Sequence, residues 1–289
     1  MPPGQRESKG TLFVVATPIG NLEDITLRAL NVLKTVQLVA AEDTRRTGNL
    51  LRHFGIDVPV VSLHEHNELA RVQKIAARLE RGESVALVTD AGTPAVSDPG
   101  AGMVASIRSL GFRIEPIPGA SAVATAVSAA GINSDGFTFL GFPPLRSKDR
   151  KKWFGALNEA VKERAVVFFE APHKIRKTLE EVGQFVNWPI FVGRELTKVH
   201  EELLWASPND LINTLGEPRG EFTVIVPPGL TSVTEERVPT DDEIAALVGH
   251  ITETVHPKSL REASRLAGER LGLSAKRVYA AVERAKFGQ

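Results

Sequence analysis

The residues best suited to hold a ligand are concentrated in one short segment, residues 87–103 (LVTDAGTPAVSDPGAGM). Glycine tolerates positive φ and close backbone approach, and proline fixes the path of the chain. A stretch so rich in both cannot form regular structure, so it predicts a long loop of defined shape. Because long loops that follow a strand usually carry function, the segment predicts a binding loop rather than a plain connection.

Four further segments have polar or small residues where a strand is predicted to end. Residues 41–46 (AEDTRR) combine two carboxylates with two guanidinium groups, which suits a site and equally suits ion pairs that cap the next helix. Residues 17–21 (TPIGN) form a strand-to-helix turn whose N–H groups can face a ligand. Residues 118–122 (PGASA) form another such turn, whose small residues allow either the approach of a flat group or close helix packing. The TPIGN turn matches neither the dinucleotide-binding nor the Walker glycine pattern. Residues 170–174 (EAPHK) end a later strand.

Basic residues form two runs. Residues 146–152 contain five basic side chains and one acidic side chain, and residues 258–286 contain eight and three. The second run covers two predicted helices, 260–271 and 275–286, joined by a three-residue turn in a helix-turn-helix-like arrangement. Each run is consistent with nucleic-acid binding or with a solvated helix face.

A metal site is not expected. His64 and His66 flank Glu65, but residues two apart point away from each other on a helix, and no third ligand is evident.

The elements that must position these segments alternate between short β-rich runs and longer helical patterns. This alternation predicts an α/β fold with a mainly parallel first sheet, in which ligands bind at the carboxyl ends of the strands. We therefore expect the loops after Ala16, Ala41 and Thr89 to meet at one edge. The turn cluster 131–136 (GINSDG) is the predicted boundary to a second α/β module.

Composition narrows the class of protein. The 289 residues carry no cysteine, which excludes disulfides and thiolate chemistry, and the formal net charge is zero, so any nucleic-acid surface must be local. The polar N-terminus has no signal-peptide core, and no apolar run is long enough for a membrane span. These features predict a cytoplasmic protein without a membrane segment.

Seven motifs occur in order across residues 11–226: VATPIGNLEDITLRAL, AEDTRRTGNLL, LVTDAGTPAVSDPGAG, PGASAV, FLGFPP, EAPHKI and RELTK. In this order they closely resemble the ribosomal RNA small subunit methyltransferase I family of the tetrapyrrole methylase superfamily. The TPIGN loop departs from the multi-glycine loop of the tetrapyrrole branch, which argues against a porphyrinoid substrate.

The resemblance implies two α/β domains with a cleft between them that holds S-adenosyl-L-methionine, and a small helical appendage. The corresponding divisions are a disordered N-terminus (1–10), an N-terminal domain (11–134), a C-terminal domain (135–228), a linker (229–242) and a helical tail (243–289). It also implies a homodimer that methylates the 2′-hydroxyl of a cytidine in the decoding region of 16S ribosomal RNA, with the RNA or the small ribosomal subunit as partner.

Site residues follow from the motifs. The residues predicted to bind the cofactor are Pro18, Asp90, Gly92, Val96, Ser97, Ser121, Ala122 and Phe169. The candidates for proton transfer are Glu42, Asp43, Glu170 and His173. The candidates for RNA contacts are Arg45, Arg146, Lys148, Lys174, Arg194 and Lys198. Asp98, Pro99 and Gly100 are interpreted as scaffold.

The residues alone leave two other hypotheses about function open. One keeps the cofactor but methylates a small molecule such as a tetrapyrrole, for which the basic runs have no use. The other is a non-enzymatic RNA-binding protein, which would have no affinity for the cofactor.

Overall fold

The computed structural model describes residues 9–63, 68–132, 135–229, 240–255, 257, 259–271 and 273–287. The chain divides into two compact units, Met1–Gly229 and Leu230–Gln289. His64, Glu65 and His66 lie outside the described residues.

The first half of the larger unit contains a five-stranded sheet. Its strands are β1 (Thr11–Val15), β2 (Leu38–Ala41), β3 (Val60–Ser62), β4 (Val85–Val88) and β5 (Arg113–Ile117). The spatial order is β3-β2-β4-β1-β5, and every pairing is parallel, as predicted. The helices that connect the strands are α1 (Leu27–Thr35), α2 (Thr44–His53), α3 (Glu68–Glu80), α4 (Ala101–Ser109) and α5 (Ala122–Ala130).

Both faces of this sheet are covered by helices, which is why its strands have continuous apolar runs. On one face Leu12, Ala40 and Leu87 pack against α3 and α4. On the other face Val15, Val39 and Val88 pack against α1 and α2. The buried strands hold the polar residues at their carboxyl ends in fixed positions.

The second half of the unit contains a mostly antiparallel sheet in the order β6-β7-β10-β8-β9. Its elements are β6 (Phe137–Phe139), α6 (Ser147–Ala160), β7 (Ala165–Glu170), α7 (Ile175–Val182), β8 (Ile190–Arg194), β9 (Glu202–Ala206), α8 (Pro208–Thr214) and β10 (Phe222–Val226). Two sheets with flanking helices confirm the predicted fold class. The sequence did not predict β9 or α8.

The smaller unit contains three helices, α9 (Asp241–Val255), α10 (Leu260–Leu271) and α11 (Ala275–Phe287). Ile244, Val248 and Ile251 of α9 pack with Ala263 and Val278 in a separate core. Asp241 and Arg284 form a two-armed ion pair at 2.6 and 3.0 Å, which joins the first helix of the unit to the last. Helices α10 and α11 confirm the two helices predicted there, whereas the tail's role in binding RNA stays a prediction.

Within the described ranges, no helix combines the length and the apolar character needed to cross a bilayer.

Candidate functional site

The polar loops of the first sheet meet at its carboxyl edge. Thr17 and Gly92 exchange backbone hydrogen bonds of 2.9 and 3.0 Å, which joins the loop after β1 to the loop after β4. Thr89 Oγ1 donates to Glu42 Oε2 at 2.8 Å, and the N–H of Asp43 donates to Asp90 Oδ1 at 2.9 Å. Three loops that are distant in sequence therefore form one edge, as expected from parallel strands.

The loop after β4 has an unusual backbone path. Gly92 and Gly100 have φ values of 84° and 119°, and the non-glycine residues Ala95 and Ser97 have φ values of 69° and 63°. A non-glycine residue in this region costs roughly 1–2 kcal/mol, so the surrounding contacts must hold the loop in shape. The prediction of a long shaped loop is confirmed for residues 89–100, whereas residues 87 and 88 end β4 and residues 101–103 begin α4.

A cavity of about 370 Å³, here called the central cavity, lies between this loop and the second sheet. Its volume falls within the range of small-molecule sites. Seven of the eight residues predicted to bind the cofactor line it: Asp90, Gly92, Val96, Ser97, Ser121, Ala122 and Phe169. The eighth, Pro18, is buried and lines a neighbouring cavity instead.

Several carboxylates face the central cavity. Glu42, Asp90 and Asp98 line it, together with Glu170 and Glu221 from the second half of the unit. Burial, followed by the nearby carboxylate of Glu42, raises the pKa of Asp98 to about 6. Burial is also the main cause of the raised pKa of Asp90, and the charge of Glu42 adds to it. Negative charge is thus concentrated where water is partly excluded, which favours a cationic ligand.

Aromatic side chains form the opposite wall. Phe142 and Phe169 line the cavity with their ring centroids 5.4 Å apart. Glu170 beside them is buried, and both of its carboxylate oxygens are hydrogen-bonded, Oε1 to the N–H of Ala171 at 2.8 Å and Oε2 to the hydroxyl of Thr178. A wall of this kind suits a flat apolar group such as a purine ring.

A second cavity of about 380 Å³, here called the α2 cavity, is lined largely by residues of helix α2. Its lining includes Pro18, Arg46, Asn49, His53 and Asp90. Arg46 and Asp90 border both cavities, and Arg46 Nη1 lies 3.6 Å from Asp90 Oδ2.

The other candidates for proton transfer lie apart from the central cavity. Asp43 caps α2 by accepting the N–H groups of Arg45 and Arg46 at 2.8 and 3.4 Å. The hydrogen bond from the Arg45 backbone holds the pKa of Asp43 below its usual value. His173 is exposed and lines neither cavity.

The cations predicted to contact RNA divide into two groups. Arg45 is 90% exposed and its Nη2 lies 3.5 Å from Asp43 Oδ2; Arg146 and Lys148 are also exposed, whereas Lys174 is half-buried at the start of α7. Arg194 instead pairs with Glu202 at 3.0 Å, and Lys198 pairs with Glu195 at 2.7 Å and Glu221 at 3.1 Å. The charge of the second group is already balanced inside the protein.

One residue of the first basic run points inward. Arg150 is 9% exposed and donates to Thr178 Oγ1 at 2.7 Å and to Glu181. Because Thr178 in turn donates to Glu170, Arg150 helps to hold one wall of the central cavity.

The two sheets are also in contact at Gly20. The N–H of Asn21 donates to Thr197 Oγ1 at 3.0 Å. An added β-carbon at Gly20 would lie 2.7 Å from that hydroxyl oxygen and 2.9 Å from the carbonyl oxygen of Leu196. Only glycine fits at this point without displacing its neighbours.

Sequence reasoning missed several lining residues. Asp98 was interpreted as scaffold because the matching motif placed the cofactor contacts before it, at Asp90, Gly92, Val96 and Ser97, yet it lines the central cavity. Thr223 lies on β10 and Glu221 directly precedes that strand, where nothing in the local pattern marks a site. Phe142 lay within a quoted motif but was given no role.

Comparison with known proteins identifies the fold and the relatives. The family model described as Tetrapyrrole (Corrin/Porphyrin) Methylases matches residues 11–212. The chain is 39% identical to Ribosomal RNA small subunit methyltransferase I of Synechocystis sp., over 91% of this chain and 96% of the relative. It is 40% identical to the protein of the same name from Pseudomonas aeruginosa, over 94% of this chain and 96% of the relative.

Solved structures agree with this fold. A diphthine synthase matches with a TM-score of 0.60 and 16% identity, over 75% of this chain and 90% of that chain. A uroporphyrin-III-C-methyltransferase from Thermus thermophilus matches with a TM-score of 0.54 and 21% identity, over 75% and 94%. At these identities the likeness concerns the fold alone.

Proposed function

The chain belongs to the ribosomal RNA small subunit methyltransferase I family, within the tetrapyrrole methylases, and we propose that it methylates RNA of the small ribosomal subunit. Methyltransferases of this family use S-adenosyl-L-methionine. In finer terms, we propose the 2′-hydroxyl of a cytidine in the decoding region of 16S RNA as the acceptor. The cytoplasm, where ribosomal subunits are assembled, is the proposed compartment.

The observation that carries the proposal is the composition of the central cavity. S-adenosyl-L-methionine supplies a methyl group on a cationic sulfonium, next to a flat adenine. Asp90 and Asp98 provide negative charge, and Phe142 and Phe169 provide flat apolar contacts. Gly92 adopts a φ of 84°, which disfavours a side chain, and with no side chain its backbone is open to close approach by a ligand. The residues present thus fit the cofactor.

Proton transfer needs a further group. As the new C–O bond forms and the S–CH₃ bond breaks, the ribose hydroxyl must release a proton to a base. Among the candidates, Glu42 lines the central cavity, and both of its described hydrogen bonds, from Thr89 and Asp90, go to Oε2. We assign proton acceptance to Glu42 Oε1. Asp43, which caps a helix, and Glu170, whose two oxygens are both bonded, are less suited to the role.

A second copy of the chain is the proposed partner at the edge of the second sheet. Strand β9 is an edge strand, and Leu203 and Trp205 on it are each 46% exposed. Val199, just before it, is 95% exposed. Exposed apolar side chains along an unpaired edge favour association. Sedimentation should give a dimer for the wild type and a monomer for Trp205→Glu. A wild-type monomer would contradict this assignment.

The function is tested by methyl transfer from tritiated S-adenosyl-L-methionine to naked 16S RNA, to small ribosomal subunits and to a porphyrinoid. Nucleoside analysis of the product should recover the label on the ribose of a cytidine. Label on a base, or on the porphyrinoid alone, would contradict the proposal. Calorimetry without RNA should show cofactor binding, which a purely RNA-binding protein would lack.

A further inference from the structure

The α2 cavity is lined by one row of polar side chains and by an apolar surface. Arg46, Asn49 and His53 are spaced by three and four residues along α2, so they lie on one face of the helix. Pro18 and Leu22 line the same cavity and add an apolar surface. Proteins bind unstacked nucleotides through hydrogen bonds to the base edge and stacking on flat side chains, and this row offers both kinds of group.

The position of this cavity relates it to the reaction. A methyl acceptor must come within about 3–3.5 Å of the methyl carbon in a productive geometry, so it must enter from a space that adjoins the central cavity. The α2 cavity adjoins it through the ion pair of Arg46 and Asp90, which borders both.

Asn49 is held in an orientation that suits recognition of a base. Arg52 Nη1 donates to Asn49 Oδ1 at 2.9 Å, and because a guanidinium only donates, the atom facing it must be the amide oxygen. The amide NH₂ group then remains as a donor. A pyrimidine with a carbonyl oxygen and a ring nitrogen as acceptors, such as cytosine, matches this donor.

His53 offers a flat surface beside that donor. Its ring packs edge-on against Phe54, with the centroids 4.8 Å apart and the planes at 88°, which restrains the imidazole. Unstacked RNA bases commonly stack on histidine and arginine side chains.

We propose that the α2 cavity binds the nucleotide to be methylated, with Asn49 and His53 contacting its base and Arg46 its phosphate. This assignment rests on the proposed function. It places the base in the α2 cavity and the cofactor in the central cavity, with the ribose between them beside the Arg46–Asp90 pair that borders both.

The test compares single substitutions in the full-length protein. Asn49→Asp keeps the size of the side chain but replaces the donor with a charged acceptor, and His53→Ala removes the ring. Each should lower kcat/KM for small ribosomal subunits by about tenfold, the loss of one well-placed contact. The affinity for S-adenosyl-L-methionine, measured by calorimetry without RNA, should stay within about twofold of wild type. Both residues are exposed, so folding should be preserved.

Asn31→Asp is the matched control. Asn31 is exposed on α1 and lines neither cavity, so the same chemical change there should leave kcat/KM unaltered. If Asn49→Asp and His53→Ala both match the control, the nucleotide does not bind in the α2 cavity. If they weaken cofactor binding tenfold, the α2 cavity belongs to the cofactor site, and the proposal is again wrong. If the wild type itself transfers no methyl group to small subunits, the proposed function fails first.

Discussion

The central cavity and the α2 cavity share a wall but differ in charge and exposure. The central cavity has half-buried carboxylates opposite phenylalanine rings, whereas the α2 cavity has exposed arginine, asparagine and histidine side chains. The first arrangement suits a small cation that is largely withdrawn from water. The second suits one nucleotide of a large polyanion. The difference shows how one sheet edge can hold two ligands of opposite charge.

Removing the charge of Asp90, which lines both cavities, should have the largest effect on activity. Asp90→Asn keeps an acceptor for the N–H of Asp43 but loses the carboxylate that faces Arg46. We expect kcat/KM to fall about 100-fold, as for other preorganised electrostatic groups, in a methyl-transfer assay. The variant should weaken both cofactor and RNA binding. A loss confined to one ligand would show that the two cavities act independently.

Asp98 tests the charge of the central cavity alone. Its folded pKa of about 6 lies above the usual 3.8, so the folded protein binds the extra proton more readily than the unfolded chain. The unfolding free energy therefore falls as pH rises from about 4 to about 6, and the ionised carboxylate keeps destabilising the fold at pH 7. Asp98→Asn should stabilise the protein at pH 7 by about 1 kcal/mol, a value reduced for the half-exposed position.

The same substitution should weaken binding of the cationic cofactor by about fivefold at pH 7. In the wild type, affinity should rise between pH 5 and 7 as Asp98 ionises, and this rise should be lost in the variant. Thermal melting and calorimetry measure the two effects, with the exposed Asp57→Asn as the control. An equal loss of affinity for neutral S-adenosylhomocysteine would mean that Asp98 acts through shape rather than charge.

Cations outside the cavities that differ in exposure and in the closeness of their ion pairs should give the smallest effect: Arg45 is 90% exposed with one contact of 3.5 Å to Asp43, whereas Lys198 has two shorter ion pairs. Arg45→Ala should lower the slope of log affinity for RNA against log salt by about one, because an exposed guanidinium neutralises one phosphate. Lys198→Ala should leave the slope nearly unchanged, since Glu195 and Glu221 already balance that charge. Filter binding at several salt concentrations measures both. If both variants lowered the slope equally, Lys198 would also have to contact an RNA phosphate.

The sequence predicted the first sheet well because its signals are local. Buried apolar runs marked the strands, and the residues after β4 could form nothing but a shaped loop. Strand β9 was missed because Leu203 and Trp205 are exposed at an edge, so the strand lacks a buried pattern. The raised pKa of Asp98 depends first on burial and then on the charge of Glu42, and both arise only in the folded chain.

The sequence likewise could not predict which basic side chains are available to bind RNA. Arg150 and Arg146 belong to one basic run, yet one is buried against Glu181 and the other is exposed. Arg194 and Lys198 are balanced by acids on β9 and next to β10. Composition gives the number of charges in a segment, but only the tertiary structure decides which remain available for a phosphate.

Gly20 has a consequence beyond its own turn. It sets the spacing between the loop after β1 and residues 196–198, and therefore between the two walls that face each other across the central cavity. A methyl group added at Gly20 would push these two walls apart. It would change the width of the central cavity, and with it the fit of the cofactor, without altering any residue that lines the cavity. The absence of a β-carbon at Gly20 therefore helps to set that width.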